Sequence, residues 1–321
     1  MYPLSKSGTS LDLGPSSACI LSATTLHVSA PPYENYFYSD CHSSSQVVVT
    51  SPLSDSNLTV IGPRIVVAWP AGNSGVVIYF EPENGINGTL GIRLLNSSIG
   101  TPLGPIYDDK KSNNTTVGIS TQIEFNRSAI LSVAILGSIR TIRDFIEGPS
   151  LLYEEIQGAM NFTRIPGGVQ ISRPWLDNIT TTTISFTNQN APVSLSDTSV
   201  TFSAGVYIFN ASSDYPQLTQ LGSSEVLNAA SQSLIIEAPS QMTSLSFLSY
   251  TTKLTAGAWR FLTYFGRDSM IAALLLEPVL SGGAVEAVIA GVLERINSTD
   301  GSVCHEETIG SVLNVFCLTA S

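Results

Sequence analysis

Charge is scarce in this chain. Only 12% of its 321 residues are Asp, Glu, Lys or Arg, and 14 basic residues face 25 acidic ones, for a net charge of −11. Nucleic-acid binding runs on phosphate neutralisation by Lys and Arg. No cluster of either is present, so nucleic acid is excluded as a main partner. The same shortage disfavours anionic membrane surfaces. Long apolar runs are missing too. The most apolar, Ile271 to Leu280, is interrupted by Glu277 and Pro278. A bilayer span needs about 20 apolar residues, so no membrane span is expected. Three His and four Cys, with no Cys-x-x-Cys pair, supply too few ligands for a Cys/His metal site. Neither a metal nor a cofactor is expected. At the N-terminus Lys6 is the only early positive charge. Ala18–Leu21 is shorter than the roughly 7–15 apolar residues of a signal-peptide core. Scarce charge does not mean disorder here, because 43% of the chain is hydrophobic and disordered chains combine low hydrophobicity with high net charge.

What is abundant is Ser, Thr and the Asn-x-Ser/Thr sequon. Asn57, Asn87, Asn96, Asn113, Asn114, Asn126, Asn161, Asn178, Asn210 and Asn297 all head sequons, ten of the 17 asparagines. With 73 Ser and Thr residues, chance alone gives roughly four. The excess points to N-glycosylation and hence to a secreted or secretory-pathway protein. Passive accumulation in a Ser/Thr-rich chain is the competing account. Because no signal peptide is visible, a secreted protein is expected to carry its signal in a segment upstream of Met1. Cys19 and Cys41 can bridge in an oxidising compartment or stay as buried thiols. Cys304 and Cys317 make the other two.

Two composition regimes divide the chain. Residues 1–45 are rich in Ser and Pro and poorly patterned. Over residues 46–250 the segments Gln46–Thr50, Arg64–Trp69, Val76–Glu81, Thr89–Leu95, Val117–Phe125, Thr180–Thr187, Thr198–Asn210 and Ser233–Glu237 are dense in Val, Ile, Thr and aromatics, which predicts strands. Turn-forming Gly, Pro and Asn clusters separate them. Many short strands with few helices predict a mainly β fold, an antiparallel β-sandwich. One helix is predicted near Gly148–Met160. After about Thr255 the period changes. Ser269–Leu276 has no polar face, which predicts a buried helix, and Pro278 ends it. An amphipathic helix is predicted from Ala284 to Ile296, with Val285, Val288, Ile289, Val292, Leu293 and Ile296 on its apolar side. The two make a helical hairpin.

Residues able to carry chemistry lie between Trp259 and Gly310. Arg267 offers a planar fork of donors and the adjacent Asp268 offers acceptors. Together they suit the vicinal hydroxyls of a sugar, with Trp259, Tyr264 or Phe265 able to stack on its apolar face. The structural alternative makes Asp268 a helix N-cap and pairs Arg267 with a nearby acid. Glu306 and Glu307 follow His305, and adjacent carboxylates suit acid–base work. A solvated loop or a helix start explains them equally.

The stretch Gly257–Ser269, with Phe265-Gly266-Arg267-Asp268 inside it, resembles the start of the catalytic barrel of six-hairpin glycosidases. It is similar to the glycogen-debranching, amylo-α-1,6-glucosidase type and to the Arg-Asp sugar-binding motif of glucoamylases. Val292–Arg295 and His305–Gly310 resemble a fungal branch of debranching-like enzymes. The resemblance covers about residues 256–310. It implies an N-terminal β-sandwich over 46–250, followed by the start of an (α/α)₆ barrel over 251–310 and an atypical tail over 311–321. It implies an inverting hydrolase acting on an α-glucan or related oligosaccharide, with Arg267 and Asp268 on the sugar hydroxyls and Glu306 and Glu307 on a neighbouring substrate loop. The general acid and base would come from later hairpins, and none is identifiable. Twelve barrel helices with their loops need about 200 residues, and 55 follow Gly266. The expectation is one hairpin of an incomplete barrel, inactive by itself. A non-enzymatic secreted sandwich that binds glycans is the second reading. The sequence fixes neither the sugar nor the oligomeric state.

Overall fold

The computed structural model describes residues 23–51, 62–96, 102–108, 115–139, 141–142, 145, 153–255, 257, 266–294 and 296–303. Their strands are β1 (Thr24–Ala30), β2 (Tyr33–Ser39), β3 (Ser44–Thr50), β4 (Arg64–Trp69), β5 (Ser74–Pro82), β6 (Ile92–Leu95), β7 (Gly104–Asp108), β8 (Thr116–Phe125), β9 (Ala129–Ser138), β10 (Asn161–Ile165), β11 (Gly168–Pro174), β12 (Thr181–Asn188), β13 (Val193–Ser196), β14 (Ser199–Phe202) and β15 (Gly205–Ser213). The helices are α1 (Tyr153–Gly158), α2 (Ser223–Val226), α3 (Leu234–Glu237), α4 (Pro239–Phe247), α5 (Gly266–Leu276) and α6 (Gly282–Leu293). None of the described helices is long and apolar enough to cross a membrane.

The protein is mainly β, built on two antiparallel sheets. One has eight strands in the order β1-β2-β3-β4-β5-β9-β14-β13. The other has seven, β10-β11-β12-β15-β8-β6, with β7 also paired to β8. Between them lies the main core, in which Phe80, Phe125, Phe186, Phe202, Tyr207 and Phe209 meet. Alternation places this core, since successive side chains of a strand point to opposite faces. In β12, Ile184 and Phe186 point in while Thr183, Ser185 and Thr187 do not.

The larger sheet departs from that pattern because both its faces are covered. Val47 and Val49 enter the main core, and Val48 joins a second cluster with Val66, Val77, Ile135, Ile142 and Ile156 of α1. This explains why β3 and β4 read as near-continuous apolar runs, a habit of doubly covered strands. Farther along the outer face, Phe247 of α4 packs with Ala68 and Ile139. Gln220 ties the same region together. Its Nε2 donates to Ser39 Oγ at 3.4 Å and to Ser246 Oγ at 3.2 Å, and its Oε1 accepts from Ser44 Oγ.

Several sequence expectations need correction. The N-terminal segment is not without pattern: β1 and β2 form a hairpin in full register from Thr24↔Ser39 to Ala30↔Tyr33. Most of β1 is exposed, so it lacks the apolar alternation that reveals a strand. Ser233–Glu237 is helical rather than extended. Glu237 N–H donates to Ser233 O at 3.0 Å and Ala238 N–H to Leu234 O at 2.8 Å. The β-branched Ile235 and Ile236 suggested a strand, but no strand among the described residues pairs with them, and Ile236 is 85% exposed. The segment Thr198–Asn210 is two strands in different sheets. β14 pairs with β9 and β15 with β8. The corner between them uses Gly205 at φ 144°, where a Cβ would come within 2.4 Å of Ala191 Cβ.

Candidate functional site

The helical hairpin is fixed to the rest of the chain at its turn. Asn228 N–H donates to Val279 O at 2.9 Å, and Ser281 N–H to Val226 O at 2.7 Å. Ser281 also caps α6, accepting from Ala284 N–H at 3.2 Å. A small core of Val226, Leu227, Leu245, Leu280 and Ala284 lies beneath. The packed stripe of α6 is Ala284, Ala287, Val288 and Gly291. Small residues let it approach closely, and Ile289 and Leu293, expected on the apolar side, are exposed instead. The expectation for α5 is corrected more sharply. Only Gly266 and Ser269 are buried, while Met270 and Ile271 are about half exposed and Leu274 and Leu275 are each 75% exposed.

Arg267 and Asp268 sit on the first turn of α5. Their side chains are 70% and 46% exposed, with Arg267 Nη2 at 3.9 Å from Asp268 Oδ2. Anchoring of this turn falls to Ser269, whose Oγ donates to Leu254 O at 2.9 Å. The capping alternative does not hold in its simple form, because α5 begins at Gly266, two residues before Asp268. The carboxylate still lies in the first turn, where the helix dipole favours it. Thus a guanidinium and a carboxylate stand side by side facing solvent, with no other ion-pair partner among the described residues. Trp259, Tyr264, Glu306 and Glu307 lie outside the described residues.

Of the sequon asparagines, Asn87, Asn96, Asn126, Asn161, Asn178 and Asn297 are exposed and Asn210 is half-buried. Asn57, Asn113 and Asn114 lie outside the described residues. Cys41 is disulfide-bonded, and Cys19, its expected partner, also lies outside them.

The sandwich offers two clefts that sequence reasoning did not find. One, of about 300 Å³, is lined by Leu26, His27, Tyr36, Leu94, Asn96 and Leu103 among others. In it His27 stacks flat on Tyr36, with ring centroids 4.4 Å apart and planes 1° apart. His27 Nε2 donates to Glu34 Oε2 at 2.7 Å. Burial and the Glu34 charge both push the Tyr36 phenol up. The second cleft, of about 380 Å³, is lined by Cys41, His42, Tyr107, Val117, Pro216 and Gln217. There His42 stacks on Tyr107 at 3.7 Å. The turn carrying His42 is held by Asp40, which accepts from the His42 and Ser43 N–H groups at 2.8 and 2.9 Å. Burial, then the Asp40 charge, pushes the Tyr38 phenol up to about 12. Among the described residues, none of those lining either cleft is a carboxylate. No cluster of metal-ligating residues occurs among the described residues.

No family model matches the chain, and no curated protein matches it.

Proposed function

We propose that this chain is the sandwich and first-hairpin portion of a secreted glycoside hydrolase acting on an α-glucan or related oligosaccharide, with Arg267 and Asp268 gripping sugar hydroxyls. The observation that carries the reading is the exposed Arg267–Asp268 pair, presented by a turn whose own anchoring rests on Ser269. Neighbouring donor and acceptor groups match the hydroxyls of one pyranose ring, and their placement at a helix start agrees with the Phe-Gly-Arg-Asp resemblance. The exposed Leu274 and Leu275 of α5 suit a helix that takes further helical neighbours. The disulfide at Cys41 and the exposed sequons support a secretory setting. Inverting hydrolysis needs two carboxylates about 6.5–9.5 Å apart, and in this reading Asp268 holds sugar hydroxyls and serves as neither. This chain alone is therefore expected to bind sugar without cleaving it.

Titration with maltose, isomaltose and longer gluco-oligosaccharides tests the reading. Arg267→Ala and Asp268→Ala are expected to weaken binding about tenfold or more, as charge-assisted hydrogen bonds are worth about 1.5–3 kcal/mol. Binding unchanged in both variants but lost in Tyr107→Ala would favour the second reading, a non-enzymatic sandwich that holds glycans in the His42–Tyr107 cleft. Failure of every glucan to bind would count against both.

A further inference from the structure

We infer that the His27–Tyr36 cleft is the seat of the chain's own N-glycan, carried by Asn96. Asn96 heads the sequon Asn96-Ser97-Ser98, is exposed and lines the cleft. Its amide makes no hydrogen bond among the described residues. Asn126 and Asn210 differ, their Nδ2 groups being engaged with Thr89 O at 3.4 Å and Ser185 Oγ at 3.3 Å. The acceptor nitrogen of Asn96 is therefore uncommitted and stands at the rim of a preformed recess.

The recess has the chemistry of a sugar seat. An aromatic face packs against the C–H face of a pyranose, and polar groups at the edge take its hydroxyls. The His27 imidazole is held from beneath by Tyr36 and at its edge by Glu34, yet its side chain remains 51% exposed. A pinned ring with an open face needs no ordering on contact, which lowers the entropic cost of stacking. Leu26, Leu94 and Leu103 give an apolar wall for the acetyl methyl of an N-acetylated first sugar. In the modification itself Asn96 Nδ2 loses a proton and bonds to C1 of that sugar. The sugar comes from a lipid diphosphate-linked oligosaccharide, whose diphosphate leaves with the bonding electron pair, so no redox step is involved.

This inference rests on the secretory reading, and one set of measurements separates the two. The full chain is expressed behind a cleavable secretion signal in a glycosylating eukaryotic host and its glycopeptides are weighed by mass spectrometry. Ser98→Ala then removes this sequon alone, in the wild-type and His27→Ala backgrounds. The expected result is occupancy at Asn96 and a melting temperature lowered by roughly 2–4 °C on sequon loss, with no further loss when His27 is already Ala. In the wild-type glycoprotein the C–H resonances of the first sugar's ring should shift upfield from the ring current of His27, a readout that holds even if His27→Ala folds poorly. Equal losses in both backgrounds, or unshifted sugar ring protons, would overturn the inference. So would an empty Asn96 beside occupied sequons elsewhere, which spares the secretory reading. An unglycosylated chain overturns both.

Discussion

Phe247 on α4 meets Phe37 on β2 edge to face, with ring centroids 5.1 Å apart and planes at 83°. Through this contact the helical layer is seated on the outer face of the larger sheet. Phe247 is buried against Ala68 and Ile139 as well. Phe247→Ala should cost about 3–5 kcal/mol, the usual range for a core Phe. Urea unfolding followed by circular dichroism measures it. A loss below 1 kcal/mol would mean that the helices are held elsewhere, with Gln220 the first alternative to examine.

Arg173 is fully buried inside the sandwich. Its Nη1 donates to Leu136 O at 2.6 Å, while Nε and Nη2 have no hydrogen-bond partner among the described residues. No ion pair compensates it among the described residues. Burial holds the guanidinium below its ordinary range, with the Asp177 charge acting against that. Replacing buried charge with well-packed apolar groups is often neutral or stabilising by about 1–4 kcal/mol. Arg173→Met is therefore expected to leave stability unchanged or raise it. A clear loss in denaturant midpoint would show that the guanidinium is better satisfied than its hydrogen bonds indicate.

Two nearby carboxyls should act on stability with opposite sign. Burial pushes Asp177 up, but hydrogen bonds from Thr180 Oγ1 and the N–H groups of Ile179 and Thr180 outweigh it and hold the carboxyl below its ordinary value of 3.8. Its contribution is present above pH 3.8 and is lost as pH falls through the lowered folded value. Burial raises Asp214 above 3.8. Its contribution is present below 3.8 and is lost as pH rises through the raised folded value. At neutral pH, Asp177→Asn should lower the melting temperature and Asp214→Asn should raise it. Both differences should shrink in acid, below pH 3.8 for Asp177 and towards pH 3.8 for Asp214. Melting curves from pH 3 to 7 decide it; shifts of the same sign would contradict the assignment.

Leu274 and Leu275 form an apolar patch on α5. Exposed patches of this kind drive association. Leu274→Glu/Leu275→Glu should reduce light scattering of the purified chain with little change in melting temperature. A large drop in melting temperature would mean that these side chains are covered in solution.

Much of the sandwich was legible because its strands carry dense Val, Ile and aromatic residues. Val47–Val49 and Ile65–Val67 could be read as strands without knowing what covers each face. Register and crossings were not legible. Nothing local says that Ser199–Phe202 and Gly205–Ser213 belong to different sheets, since the corner is built from Gly205 against Ala191. At the candidate site, the adjacency of Arg267 and Asp268 is written in the sequence. The exposure of α5 is not, because an all-apolar helix reads as buried until its neighbours are placed. The His27–Tyr36 cleft depended on cross-strand pairing of His27 with Tyr36 and on Leu94 and Leu103 arriving from distant segments. No sequence window contains those contacts.

The most direct test of the sugar-handling claim is a crystal structure of the chain soaked with maltose. The account expects a sugar ring at the start of α5, with its hydroxyls within hydrogen-bond distance of the Arg267 guanidinium and the Asp268 carboxylate. Sugar density only in the His42–Tyr107 cleft, or an empty α5 terminus at saturating maltose, would contradict it.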